Sequence, residues 1–170
     1  MRIDGTEIIK LIGLSETDDK VLDLLELLKV DRPTLDEDGQ SEGIDLEEEL
    51  GLYLGFGTTV ITERQKSENI GGLYLNDINF QMHFSSLPFN LKTLDNLEIV
   101  TKKIERQPNY IRVEGDSLDS EVLYWIFEDL GFLSVQFSDE TQSEIIEICL
   151  MPYEDPTDEE YIGIIAPYNG

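Results

Sequence analysis

Apolar residues between positions 120 and 150 predict the centre of the fold. Three apolar runs, Val122–Phe127, Phe132–Phe137 and Ile145–Leu150, are separated by polar breaks of four and seven residues. Runs of this length that are rich in aromatic and β-branched residues are typical of strands, and such breaks suit hairpin loops. The segment therefore predicts a three-stranded antiparallel meander.

Helical spacing of apolar residues occurs in three other segments. A short helix is predicted over residues 6–13, and Ser15–Asp18 resembles a capping box that opens a longer amphipathic helix. A third helix is predicted at about 94–105, where Thr93 or Asp95 can accept hydrogen bonds from the first turn. Each helix has an apolar side, so we expect it to pack against a sheet.

The remaining apolar segments complete the prediction of an α+β fold, in which antiparallel β-meanders carry amphipathic helices on one face. Leu50–Phe56 and Thr58–Glu63 predict a hairpin about Gly57, and Ile78–Phe84 alternates apolar and polar side chains. Shorter strands are predicted at Ile44–Leu46, Leu73–Leu75, Tyr110–Val113 and Ile162–Ala166.

Two pairs of segments resemble each other along the chain. Lys29–Pro33 matches Lys103–Pro108 with one inserted residue, and each segment ends an amphipathic helix. Glu48–Leu52 matches Glu128–Phe132, and each segment opens a strand. The same order of elements in both halves predicts an internal duplication. Chance is the alternative explanation, because Leu-Gly pairs are common.

The predicted domain organisation follows from this repeat. We expect residues 1–170 to form a single globular domain, in which two helix-plus-meander copies cover 14–84 and 90–150. An acidic tail follows over residues 151–170. A chain of 170 residues with 40% apolar content is long enough to bury a core of this kind.

Charge is the most unusual property of the chain. Lys and Arg total 12 while Asp and Glu total 37, which gives a net charge of −25. Phosphates would be repelled, so direct binding to nucleic acid or to an anionic membrane is disfavoured. Two interpretations stay open: the charge serves solubility or a halophilic source, or it complements a basic partner.

Few residues offer catalytic or metal-binding chemistry. Cys149 and His83 are the single cysteine and histidine, so a cluster of His and Cys ligands is impossible. Thr34–Asp45 fails as a calcium loop because its first and last positions lack the ligands that such a loop needs. Carboxylates are abundant, but nothing singles out an acid–base pair. We therefore expect a protein that is not an enzyme and that has no metal or cofactor.

Targeting signals are not recognisable in the sequence. The first residues lack the apolar core of a signal peptide, and no apolar stretch reaches the roughly 20 residues needed to span a bilayer. These observations predict a soluble cytoplasmic protein.

Two acidic stretches are the predicted partner-binding surfaces. The first runs through residues 36–49, and the second combines carboxylates with tyrosines in the tail. Tyrosines can supply anchoring area in an interface, while carboxylates steer the approach of a basic partner. The residues concerned are Asp36, Glu37, Asp38, Glu42, Asp45, Glu47, Glu48, Glu49, Tyr153, Glu154, Asp155, Asp158, Glu159, Glu160 and Tyr161.

The strand pattern of the second half resembles a class of known proteins. An aromatic strand at Leu123–Phe127 is followed by a Leu-Gly strand at Leu130–Phe137 and by Ser143–Ile148 with its Ile-rich pattern. This order is similar to that of small bacterial α+β immunity proteins encoded beside polymorphic toxins. The resemblance covers residues 78–150 well and the first half loosely. It implies a cytoplasmic antidote that binds a cognate toxin domain, often a basic nuclease.

The expected function is therefore an acidic immunity protein that binds a basic toxin domain and blocks its active or substrate-binding surface. An acidic surface would speed the encounter with a basic toxin, which agrees with the net charge. One alternative is a DNA-mimic or other acidic regulator of a basic protein, which a regular spacing of exposed carboxylates would favour. Another is a non-catalytic structural domain, which an even spread of charge would favour.

Overall fold

The computed structural model describes residues 3–35, 41, 43–58, 72–113, 121–127, 130–138, 141–151 and 164–170. Within these ranges the chain forms one eight-stranded antiparallel sheet and four α-helices, which confirms the predicted α+β class. The strands lie in the order β1-β2-β3-β7-β6-β5-β4-β8. Their bounds are β1 Ile44–Leu46, β2 Leu52–Gly57, β3 Tyr74–Gln81, β4 Tyr110–Arg112, β5 Glu121–Phe127, β6 Gly131–Phe137, β7 Ile145–Met151 and β8 Ile165–Pro167.

The predicted central meander is confirmed as the strands β5, β6 and β7. Each of these strands pairs antiparallel with the next, and the pairs include Trp125 with Leu133 and Leu133 with Leu150. The predicted edge strand near the end of the chain is also present as β8, which pairs with β4. Local alternation was sufficient to predict the meander because each of its strands has one face in the core.

The helices are short, and α1, α2 and α4 lie where amphipathic spacing predicts them, whereas α3 occupies residues that were predicted to lead into a strand. They are α1 Gly5–Ile8, which continues as a 3₁₀ turn at Ile9–Leu11, α2 Asp19–Leu28, α3 Glu47–Leu50 and α4 Leu97–Ile104, with a further 3₁₀ turn at Pro88–Asn90. No helix in the described ranges combines the length and the apolar character that crossing a bilayer requires.

The caps of the two longest helices differ from the predicted ones. Asp18, rather than Ser15, is the N-cap of α2, and its carboxylate accepts a hydrogen bond from the amide of Lys20 at 2.9 Å. Asn96 is the N-cap of α4 and accepts from the amide of Ile99 at 3.0 Å. Asp95 does not cap this helix, because its carboxylate is bound to Lys103 instead.

One face of the sheet, which we call the core face, packs against the helices. Its side chains join the buried residues of α1, α2 and α4 in one hydrophobic cluster. Trp125 is fully buried, and its indole N–H donates to the carbonyl of Arg106, which follows α4, at 3.0 Å. The central core-face residues are Leu52, Leu54, Ile78, Phe80, Leu123, Trp125, Leu133, Val135, Ile148 and Leu150.

The first predicted hairpin differs from the observed pairing. Strand β2 hydrogen-bonds to β1 on one side and to β3 on the other. The second strand of the predicted hairpin falls largely on residues 59–63, which lie outside the described ranges. The two strands predicted at Leu73–Leu75 and Ile78–Phe84 form the single strand β3, interrupted by a bulge at Asn76.

The strand pairs β2–β3 and β6–β7 each contain one register shift. In β2–β3 the pairing shifts between Gly55 and Phe56, and in β6–β7 it shifts between Gln136 and Phe137. When these bulges are matched, Leu52 corresponds to Leu133, and both are fully buried. The sequence match instead aligns Leu52 with Phe132, one position earlier. The duplication itself stays a prediction.

Candidate functional site

A single row of paired residues crosses the face of the sheet opposite the helices, which we call the outer face. Neighbouring residues in the row are opposite each other on adjacent strands, so their side chains project from the same face. With adjacent strands about 4.8 Å apart, the row is roughly 33 Å long. From β1 to β8 its members are Asp45, Tyr53, Asn79, Cys149, Ser134, Tyr124, Tyr110 and Pro167.

Carboxylates gather on the half of the outer face formed by β1, β2, β3 and β7, which we call the acidic half. Asp45 belongs to the row, and Asp77 and Glu147 lie beside it on β3 and β7. Glu47 begins α3, where its amide donates to the carboxylate of Asp45 at 3.0 Å. The strands β1, β3 and β7 and the start of α3 therefore place four carboxylates close together.

Side-chain amides hold part of this cluster in position. Nδ2 of Asn79 donates to Oε1 of Glu147 at 2.9 Å. Nε2 of Gln81 lies 3.5 Å from Oε1 of Glu147 and 3.5 Å from Oε1 of Glu47. Among the described residues, none of the four carboxylates forms an ion pair with a lysine or an arginine. Within the described ranges, the carboxylates of the acidic half are thus hydrogen-bonded but are not paired with a cation.

Burial and the neighbouring carboxylates both raise the pKa of the tyrosine that lies among them. Burial raises the pKa of the Tyr53 hydroxyl. The charges of Asp77, Asp45 and Glu47 raise this pKa further, so three carboxylates surround one tyrosine. Burial also raises the pKa of Asp77. The hydrogen bond from Cys149 lowers this pKa in part, and the charge of Glu147 raises it again.

Cys149 has none of the features of a catalytic nucleophile. Its thiol donates a hydrogen bond to Oδ1 of Asp77 at 3.2 Å. Burial raises the pKa of the thiol, and the charge and hydrogen bond of Asp77 raise it further. Reactive cysteines need a lowered pKa. The single histidine, His83, is exposed and lies on the turn after β3, as its place in the polar alternation predicts.

Aromatic and apolar side chains occupy the rest of the outer face, formed by β6, β5, β4 and β8 together with Met151 at the end of β7, which we call the tyrosine half. Tyr124 and Tyr110 are a cross-strand pair. The ring of Tyr124 meets that of Phe132 edge-on, with centroids 6.4 Å apart. Met151, opposite Phe132 at the end of β7, is 37% exposed. An apolar patch therefore lies beside the carboxylates on the same face.

The structure brings only part of the predicted site together. Asp45 and Glu47 lie in the acidic half, while Glu48 and Glu49 are exposed on α3. The other predicted residues lie outside the described ranges, and they are Asp36, Glu37, Asp38, Glu42, Tyr153, Glu154, Asp155, Asp158, Glu159, Glu160 and Tyr161.

Sequence reasoning missed the contribution of the central strands to this site. Asp77, Asn79 and Gln81 alternate with buried apolar residues of β3, and Glu147 alternates with those of β7. That alternation was a usable signal for an outward face. The adjacency of β3 and β7, however, is a long-range pairing that no local pattern indicates.

One pocket lies outside the outer face. A pocket of about 320 Å³ lies between the end of β3 and the segment before α4, lined among others by Met82, Ser86, Leu91 and Thr93. Among the described residues, no group of three or more His, Cys, Asp or Glu side chains could hold a metal ion. The outer face, with its hydrogen-bonded carboxylates, is therefore taken as the candidate site.

Comparisons with known proteins add no assignment to this geometry. No family model, no curated protein and no solved structure matches the chain. The function therefore has to be inferred from the chemistry of the outer face.

Proposed function

We propose that this chain is an acidic binding protein that neutralises a basic protein, in the manner of an immunity protein that blocks a cognate toxin domain. The partner would be a bacterial toxin domain, such as a nuclease, with a positively charged active or substrate-binding surface. The chain would act by occupying that surface in the cytoplasm, and it would carry out no reaction itself.

One observation carries this proposal. Asp45, Glu47, Asp77 and Glu147 are grouped on one face, and none of them pairs with a basic side chain of the described chain. Like charges at such short range oppose folding, particularly in a chain with a net charge of −25. A basic partner would reduce this repulsion on binding, because it would supply cations that these four carboxylates do not pair with among the described residues.

The same arrangement gives the expected mode of inhibition. A nuclease holds its substrate through lysine and arginine contacts to phosphates. Carboxylates spread over a rigid sheet can compete for those cations, and their field accelerates the encounter of the two proteins. Salt should therefore slow association strongly, while the rate of dissociation depends on close contacts.

The test begins with identification of the partner. Wild-type chain is used to capture proteins from the source cell and from products of neighbouring genes, at low and at moderate salt. The recovered protein is purified, and its toxic activity is measured with and without the chain. We expect one basic protein, retained at moderate salt, whose activity falls when the chain is added.

Charge variants then connect inhibition to the acidic half. Neutralising Asp45, Glu47, Asp77 and Glu147 as Asn or Gln should slow association at least about tenfold at low salt. Neutralising four exposed carboxylates around α2, namely Asp19, Asp23, Glu26 and Asp31, changes the net charge equally and should have a much smaller effect. Recovery of only heterogeneous, salt-sensitive basic proteins, or equal effects of the two sets, would contradict the proposal.

A further inference from the structure

We propose that both halves of the outer face form one continuous interface, and that its occupant is a basic protein segment that also carries an aromatic or apolar anchor. This inference rests on the proposed function, since it assigns the basic partner a place on the fold and a composition. It moves the centre of binding from the predicted acidic stretches at 36–49 and in the tail to the sheet itself.

The dimensions of the outer face suit a protein partner. The row from Asp45 to Pro167 crosses all eight strands, over roughly 33 Å. A typical interface covers about 800 Å² on each partner, which a patch of this width can supply. The sheet is also rigid, because its central strands β3, β7 and β6 are paired on both sides. Binding would therefore cost the sheet little conformational entropy.

The acidic half selects for a cation. Its four carboxylates can only accept hydrogen bonds when ionised. The nearby amides of Asn79 and Gln81 already donate to Glu147 and Glu47. The remaining acceptors of these carboxylates can bind a partner, and guanidinium or ammonium groups match both their charge and their geometry.

The tyrosine half offers a preformed contact for an anchor. Tyr110 and Tyr124 face the same side on adjacent strands, and Phe132 supports the ring of Tyr124 edge-on. Phe132 is only 5% exposed, so the patch has a buried base, whereas Met151 is 37% exposed beside it. Tyrosine in a fixed position is typical of interface centres, because it gives contact area at low entropic cost.

The two halves meet along one boundary. Cys149 and Ser134 are opposite each other where β7 joins β6, between the carboxylates and the tyrosines. A partner segment that lies along the row would therefore place cations over β3 and β7 and an apolar side chain over β6 and β5. A purely basic segment would use only the first of these contacts.

Two synthetic peptides of equal length and charge test this division. The first alternates arginine and glycine and ends in Trp-Leu, and the second ends in Ser-Ser instead. Binding to isotope-labelled full-length chain is followed by amide chemical shifts at low salt. We expect the first peptide to shift signals in both halves, and the second to shift those of the acidic half alone. The first peptide should bind about tenfold more tightly.

Variants separate the two contributions. Met151→Ser should remove most of the affinity advantage of the first peptide, because it takes an exposed apolar contact away from the patch. Since the Met151 side chain is exposed, its loss leaves the core intact. Tyr110→Ser is a second variant at the same patch, should Met151→Ser prove neutral. Glu147→Gln should weaken both peptides alike. Leu22→Ser, which alters a similarly exposed apolar residue on α2, is the matched control.

The outcomes distinguish this inference from the proposed function. Equal affinity of the two peptides, with shifts confined to the acidic half, would overturn the two-part interface. It would not contradict the proposed function of an acidic binding protein. Shifts centred on Glu48 and Glu49 would overturn it in favour of α3. Absence of binding by both peptides on the outer face would contradict the proposed function as well.

Discussion

The thiol of Cys149 on β7 donates a hydrogen bond to Oδ1 of Asp77 on β3, with sulfur and oxygen 3.2 Å apart. This contact joins the two strands at the centre of the sheet on its outer face. It satisfies one acceptor of a carboxylate that is itself partly withdrawn from water. Cys149 is therefore a hydrogen-bond donor in the acidic half, and its sulfur contacts Asp77, whose negative charge opposes ionisation of the thiol.

We expect Cys149 to react slowly with thiol reagents in the folded protein. Burial raises the pKa of the thiol and the Asp77 charge raises it further, so little thiolate is present at pH 8. The rate of labelling by a disulfide reagent at pH 8 should be at least about a hundredfold lower than in urea-unfolded protein. Similar rates in the two states would contradict the buried contact.

The stability of the protein should decrease as pH rises through the pKa of Asp77. Because this pKa is raised by burial, the folded state binds the proton more tightly than the unfolded state does. The destabilisation is therefore absent below the unfolded pKa of about 3.9 and complete above the folded pKa. Asp77→Asn should remove this part of the pH dependence and stabilise the protein at pH 7, by less than about 1 kcal/mol because solvent screens the group.

Urea unfolding followed by circular dichroism between pH 4 and 8 measures this effect. Glu26→Gln, which removes an exposed carboxylate of α2, is the control and should leave the shape of the pH dependence unchanged. An Asp77→Asn protein with the wild-type pH dependence would show that Asp77 is not the group concerned.

Lys103→Met should destabilise the protein by about 2–3 kcal/mol, because it leaves the buried carboxylate of Asp95 without its cation. Nζ of Lys103 lies 2.5 Å from Oδ2 of Asp95 and also donates to the carbonyl of Asn90 at 2.7 Å. Asp95 is only 6% exposed. The loss should be below that of a fully buried pair, since the Lys103 side chain is 26% exposed.

Lys102→Met is the matched control for this prediction, because it removes the same charge from the neighbouring exposed position. It should change the free energy of unfolding by no more than about 0.5 kcal/mol. Equal losses from the two substitutions would mean that net charge, and not the ion pair, determines the effect.

Glu105→Gly should stabilise the protein by about 0.5–1 kcal/mol. Glu105 follows α4 in the left-handed conformation, with φ 62° and ψ 23°, which glycine adopts without a Cβ clash. Removing its negative charge from a helix C-terminus adds a smaller gain. Glu105→Gln removes the charge and keeps the backbone strain, so it should recover only a few tenths of a kcal/mol in thermal or urea unfolding. A larger gain in the free energy of unfolding from Gln than from Gly would show that backbone strain at Glu105 is not the cause.

Local patterns were sufficient for much of this fold. The alternation of Val122–Phe127, Phe132–Phe137 and Ile145–Leu150 determined the meander and the buried parity of its strands, because strands with one face in a core must alternate. The positions of α1, α2 and α4 were also predictable, but α3 was not predicted, and the caps of α2 and α4 differ from the predicted ones. Asp95 was a plausible cap by residue type, yet a lysine eight positions later, Lys103, binds its carboxylate.

Sequence by itself determined the α+β class, the parity of the strands and the large negative charge. Tertiary structure alone decided which carboxylates are neighbours, because β7 pairs with the distant strand β3 on one side as well as with β6 on the other. That pairing brings Glu147 next to Asn79 and Asp77. Strand order depends on packing of the whole core face, which sums many contacts between distant residues, whereas alternation depends only on each strand and its two faces.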